Sequence, residues 1–419
     1  MHNAYKKFNT RTNKEKLTFF ENEQGTNIAD LKSRYILMSI EAFKIQIEQS
    51  TLDDLRYRLD HYRWPNQLNN SGWLRGTDIN YLKSLVSYWR NDFDWRKEEL
   101  KLNSLSQFIC NVDGIDLHFV HERGKGPNPL PIILTHGWPD SFTRYQKIIP
   151  LLTDPARYGG DPRDSFDVIV PSLPGFGFSG RANHSGVNNL LISELWSKLM
   201  TEKLGYHRYA AAGGDIGSGV TRYLASKHPE NLIGIHLTDI GIVRSLLTTQ
   251  NLSELSEEEQ AYKKMAQEWI AQEGAYMSIQ STKPQTLAYS LTDSPVGLAA
   301  WIIEKFRAWS DCNGDLSKQF SEDELLTNIM IYWLTNTADS SVSIYYENTH
   351  SLPPIENISV PTGIAIFPAD ILKPPKTWVE KNLNLKRWTK MPSGGHFTAM
   401  EEPEHLARDI RSFYKELRN

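Results

Sequence analysis

Five short apolar runs, each closed by turn-forming or polar residues, constrain the fold of this 419-residue chain more than any other feature. They are PIILTHG from Pro131, FDVIVPSL from Phe166, YAAAGGD from Tyr209, GIHLTD from Gly234 and, much later, PTGIAIFPAD at 361–370. Uninterrupted apolar strands with helical patterns between them predict an α/β fold whose mostly parallel central sheet is covered on both faces. The stretch 241–354 breaks that alternation and reads as helical. Ser256-x-x-Glu259 has the form of a capping box, and Ser294-Pro295 supplies a cap and first turn for PVGLAAWIIEKFRAW. A helical block inserted between two strands of one sheet predicts a cap domain.

The same reading divides the chain into a polar tail at 1–35, an N-terminal wrapping region at 36–125, a first core part at 126–240, the cap at 241–354 and a second core part at 355–419. Thr51-x-x-Asp54 resembles a capping box before Leu52, Leu55 and Leu59, and Trp64-Pro65 is expected to end that helix. Leu406, Ile410 and Phe413 give the last segment one apolar face.

A formal charge of −4 gives no electrostatic reason to expect nucleic acid as a partner. No run approaches the roughly 20 apolar residues of a membrane-spanning helix, and MHNAYKKFNTRTNKEK lacks a signal-peptide core. Only Cys110 and Cys312 are present, too few for a disulfide framework or a cysteine-rich metal site. The expectation is a cytoplasmic protein without membrane anchor, metal or cofactor.

Chemistry concentrates where Tyr209-Ala-Ala-Ala-Gly213-Gly214-Asp215-Ile216-Gly217 joins a strand to a helix. Small residues flanking a polar one there form a nucleophile elbow, the sharp turn of an α/β-hydrolase fold. Aspartate stands where serine is familiar, and by itself Asp215 is equally well read as a helix cap. Its partners weigh against that. Asp370, at the end of IAIFPAD, and His396, in SGGHF, follow in the order nucleophile, acid, base. Asp239, ending GIHLTD, competes for the role of acid. His136-Gly137-Trp138-Pro139 follows a strand, and the N–H groups of Trp138 and Ile216 are the expected oxyanion-hole donors. His136 itself reads as structural. Gly175 to Gly180 fits G-x-G-x-x-G, but a preceding Pro174 and no clear helix start argue for a tight loop instead of a dinucleotide site.

Taken together, HGWPDSF, DVIVPSLPGFGFSG, GGDIG, YMSIQSTKPQTLAYSLTDSPVGLAAWIIEKF and PSGGHFTAMEEPE resemble the microsomal-type epoxide hydrolase family, from about residue 36 to the end. EAFKIQIEQSTLDDLRYRLDHYRWP is similar to that family's N-terminal domain. The resemblance implies Asp215 as nucleophile, His396 as base, Asp370 as orienting acid, and Tyr276 and Tyr345 as donors to the epoxide oxygen. Tyr289 and Tyr346 are competing neighbours. Many relatives carry glutamate at the acid position. Trp138 and Phe397 are expected to line an apolar pocket, with Trp301, Trp309 and Trp333 adding to it. The implied partner is a small apolar epoxide, and the resemblance leaves room for a homodimer. A haloalkane or haloacid dehalogenase, an enzyme opening the ring with an internal nucleophile, and a non-catalytic binder of apolar ligands are the alternatives.

Overall fold

The computed structural model describes residues 40–355 and 358–418; the expected tail at 1–35 lies outside the described residues. Nine strands form one sheet in the order β1-β2-β3-β5-β4-β6-β7-β8-β9. They are β1 (Ile40–Ala42), β2 (Gln107–Val112), β3 (Ile115–Glu122), β4 (Leu130–Thr135), β5 (Phe166–Pro171), β6 (Tyr209–Gly213), β7 (Leu232–Leu237), β8 (Ile358–Ile366) and β9 (Leu383–Lys390). From β5 to β9 every pairing is parallel, while β1, β2 and β3 extend the sheet antiparallel at one edge. All five apolar runs contribute strands. Ile132, Ile133, Val168, Ile169, Ala210 and Ile235 are wholly buried, as a sheet covered on both faces requires.

Between β7 and β8 the chain is helical. The Ser256 capping box forms in both directions, and Ser294 caps Pro295–Trp309 by accepting the Gly297 N–H at 2.9 Å. The expected box at Thr51 does not form. The helix runs Gln49–Asp60, so Thr51 lies inside its first turn, and Asp54 pairs forward with Arg58 at 2.8 Å. That helix also ends well before Pro65. The C-terminal helix Pro403–Lys415 buries Leu406, Ile410 and Phe413 as its spacing predicts.

The N-terminal region grips the helical block directly. Thr77 Oγ1 donates to Ala300 O, Tyr88 Oη to Asp323, and Trp89 Nε1 to Met330 Sδ at 3.2 Å. Among the described residues no helix is long and apolar enough to cross a membrane.

Candidate active site

β6 delivers Asp215 to the carboxyl edge of the sheet, and the helix Ile216–Lys227 begins immediately after it. The Asp215 backbone has φ +57° and ψ −127°, a conformation few non-glycine residues adopt. Packing enforces it: a Cβ at Gly217 would lie 1.9 Å from Thr135 O, so only glycine admits so close a crossing of helix and β4. The Asp239 Oδ2 atom accepts the Asp215 N–H at 2.6 Å. The Asp215 carboxylate makes no capping hydrogen bond to its own helix, which removes the reading of it as a helix cap.

Instead, Asp215 Oδ1 accepts the Trp138 N–H at 2.8 Å. Oδ2 faces His396 Nε2 at 3.4 Å, and His396 Nδ1 lies 2.8 Å from Asp370 Oδ1. This spacing makes Nδ1–H the donor to Asp370 and leaves Nε2 toward Asp215. Both oxygens of Asp239 are engaged by backbone, Oδ2 by Asp215 and Oδ1 by the Gly241 N–H at 2.9 Å. Asp239, Asp370 and His396 bring potential ligand atoms within 4.8 Å of one another. These hydrogen bonds already occupy His396 Nδ1 and both Asp239 oxygens, so the cluster is a charge network instead of a vacant ligand set.

Burial alone would lower the His396 pKa, but the facing carboxylates of Asp370 and Asp215 outweigh it and raise the value to about 10. Burial, together with the charge on Asp370, raises Asp239. Tyr276 and Tyr345 are pushed well above the ordinary phenol range, chiefly by burial and further by Asp215, so both hydroxyls keep their protons at neutral pH.

Tyr276 lies on the helix Ala275–Thr282 and Tyr345 on Ala338–His350, with their rings 5.9 Å apart. The Trp138 ring stacks on Tyr276 at 5.5 Å and meets Tyr345 edge-on at 5.8 Å. Tyr289 and Tyr346 are on the surface. Asp215, His396, Asp370, Tyr276 and Tyr345 all line one cavity of about 550 Å³, within the usual range for a small-molecule site.

Several expectations need correction. Phe397 does not line this cavity; it is wholly buried and stacks on Phe306 at 3.9 Å, because the turn after His396 points inward. Trp138 backs the two tyrosines from behind and is likewise not among the lining residues. Trp309 packs edge-on against His396 at 5.4 Å, but Trp301 and Trp333 border other clefts. Ile216 is buried at the first turn, yet among the described residues its N–H makes no hydrogen bond to the Asp215 carboxylate. His136 is structural: wholly buried, its Nε2 accepts the Leu173 N–H at 3.1 Å. The glycines at 175–180 form a loop without a helix start.

Two supports escaped the sequence reading. Buried Arg144 pairs with buried Asp140 and donates to His396 O at 2.6 Å, while Asp140 Oδ1 accepts the Gly137 N–H at 2.8 Å. Glu401 accepts the N–H groups of Asp311, Gly395 and Phe397, tying the His396 loop to the end of the helix Pro295–Trp309. The four-residue spacing of Asp140 and Arg144 is the one sequence signal that could have pointed to the first of these.

Residues 40–145 match a family model described as the epoxide hydrolase N terminus, and residues 131–403 match the alpha/beta hydrolase fold. Epoxide hydrolase 1 of Oryctolagus cuniculus is 39% identical over 90% of this chain and 88% of its own length. The crystal structure of juvenile hormone epoxide hydrolase from Bombyx mori superposes with a TM-score of 0.78 at 29% identity, covering 91% of this chain and 94% of that one. The Aspergillus niger epoxide hydrolase structure gives 0.79 at 28% identity, covering 91% and 97%.

Proposed function

The chain belongs to the microsomal-type epoxide hydrolase family, and from that premise we propose that it converts an apolar epoxide and water to a vicinal diol through an ester on Asp215. The observation that carries this reading is the position of the Asp215 carboxylate, held by Trp138 on one oxygen and facing His396 with the other, in a cavity lined by two protonated tyrosines.

An epoxide carbon is saturated, so a carboxylate displaces the ring oxygen and forms an ester, whereas serine would leave an ether resistant to water. Oδ2 is the attacking atom, since Oδ1 is already held by the Trp138 N–H. As the C–O bond breaks, Tyr276 or Tyr345 donates a proton to the departing oxygen. Esterification removes the negative charge of Asp215, one of the causes holding the His396 pKa high. His396 therefore becomes a competent base only once the ester exists and the imidazolium has released its proton to solvent, a proton it regains when the Asp215 carboxylate re-forms. It then takes a proton from water as the hydroxide adds to the Asp215 carbonyl carbon, with the oxyanion on the Trp138 N–H that already holds Oδ1. Collapse expels the diol, protonated by His396. The proton left on Asp215 balances the one the tyrosine gave up.

The tyrosine pair favours an epoxide oxygen over the halide of a dehalogenase, and the aligned acid and base would be superfluous in a pure binder. Cys110 and Cys312, both buried and unpaired, fit a cytoplasmic setting.

Single-turnover reaction in ¹⁸O-water tests the mechanism. Label is expected in the Asp215 carboxylate after the first turnover and in diol only on later ones. Label in the first diol would rule out the ester.

A further inference from the structure

The cavity is lined mainly by apolar groups near the reacting carboxylate, among them Ile216, Trp269, Met277 and Leu372, yet it also holds a guanidinium. Arg222 lies nearly two turns into the helix Ile216–Lys227, which begins at the elbow directly after Asp215, and both residues line the cavity. At about 1.5 Å per residue, Arg222 stands roughly 9 Å along the helix axis from its first residue, Ile216, and so at the end of the cavity remote from the elbow. Arg222 is half-buried. Among the described residues it forms no ion pair and donates no hydrogen bond, and its Nε is fully buried without a partner.

A half-buried guanidinium left unpaired is costly, and burial lowers its pKa accordingly. The carboxylate that acts on it, Asp239, attracts it only through space, because both Asp239 oxygens already accept backbone N–H groups. The other acids of the cavity are committed as well, Asp370 to His396 and Asp215 to Trp138. A second arginine, Arg244, lines the same cavity from an exposed position and strengthens the positive potential there.

We infer that this cavity selects epoxides bearing a carboxylate, with Arg222 binding the carboxylate at the end remote from Asp215 while the apolar walls hold the chain between. The guanidinium fork matches a carboxylate bidentately. The axial separation requires several carbons between the acid and the ring. This assignment of substrate class rests on the epoxide reading given above.

Binding of octanoate and octanamide, measured by calorimetry on the wild-type enzyme and on Arg222→Met, tests the anion site without turnover. Octanoate is expected to bind wild type about 10–100-fold more tightly than the amide. That ratio should collapse in Arg222→Met and largely persist in Arg222→Lys. Equal binding of acid and amide to wild type overturns the inference, and so does a ratio unchanged by Arg222→Met. Equal binding to wild type overturns the inference whatever the variants do, and Arg222→Gln carries the same comparison if Arg222→Met fails to fold. The kcat/KM ratio for 7,8-epoxyoctanoic acid against its amide should follow the same pattern. Arg222-dependent octanoate binding without hydrolysis of either epoxide would leave the carboxylate site standing and sink the epoxide reading instead.

Discussion

The Asp239 Oδ2 atom accepts the backbone N–H of Asp215 at 2.6 Å, while His396 Nδ1 finds its partner in Asp370 at 2.8 Å. Two carboxylates at adjacent strand ends thus divide the work, one holding the strained elbow and the other orienting the ring. Asp370→Asn should leave the fold intact and slow ester hydrolysis by roughly 10⁴-fold, the scale seen when a triad acid loses its charge. Asp239→Asn should instead lower stability by about 1–3 kcal/mol, because an amide replaces a buried acceptor of two backbone N–H groups. Single-turnover decay of the ester, set beside urea unfolding, separates the two. A larger loss of ester hydrolysis in Asp239→Asn would reverse the assignment.

The raised pKa of His396 has a signed consequence for stability. Its folded value of about 10 exceeds the ordinary 6.5, so protonation favours the folded state. This contribution is fully present below about pH 6.5 and is lost as pH rises toward 10. Asp215→Asn removes one of the facing charges and should move the His396 titration to lower pH. An NMR titration of the ring C–H protons reads this directly, and equal midpoints in both proteins would show that Asp215 does not act on His396.

Either tyrosine alone leaves one donor for the departing oxygen, whereas removing both leaves none. We expect Tyr276→Phe and Tyr345→Phe each to slow ester formation about 10–100-fold, and the double variant by about 10³-fold or more. Stopped-flow tryptophan fluorescence is a suitable probe, because Trp138 stacks on Tyr276 at 5.5 Å. Unchanged alkylation in the double variant would refute a proton-donating role for the pair.

How much of this was legible depended on burial. The runs that became β4 to β8 were visible because both faces of those strands are covered, leaving no polar alternation. β9, LNLKRWTK, is only partly buried and mixes charges with apolar residues, so it carried no such signature. The antiparallel strands β2 and β3 were hidden because polar residues interrupt their apolar runs, with Asn111 and Asp116 exposed and His118 and His121 buried among apolar neighbours. Local context and chain order singled out Asp215 and His396, which the structure brings within 3.4 Å of each other. Apart from the family resemblance, which favoured Asp370, nothing in the sequence separated it from Asp239, since both follow neighbouring parallel strands and only distance distinguishes them. Phe397 misled because adjacency to His396 in sequence says nothing of which way the next side chain points.

Asp140 and Arg144 are charged residues of a turn, yet each is almost wholly inaccessible to solvent. The pair joins the turn carrying Trp138, through the Gly137 N–H, to the backbone oxygen of His396. Removing one member strands the other's charge in the interior, which typically costs about 3–5 kcal/mol. Arg144→Met should therefore show that loss in urea unfolding, together with a fall in ester hydrolysis as the His396 loop loses its donor. The double variant Asp140→Asn/Arg144→Met should recover part of the stability, because no unpaired ion remains. It should not recover the rate, since the bond to His396 O is still missing. Recovery of both together would mean that the pair supports only the fold, and that His396 is positioned by Asp370 and the Trp309 carbonyl alone.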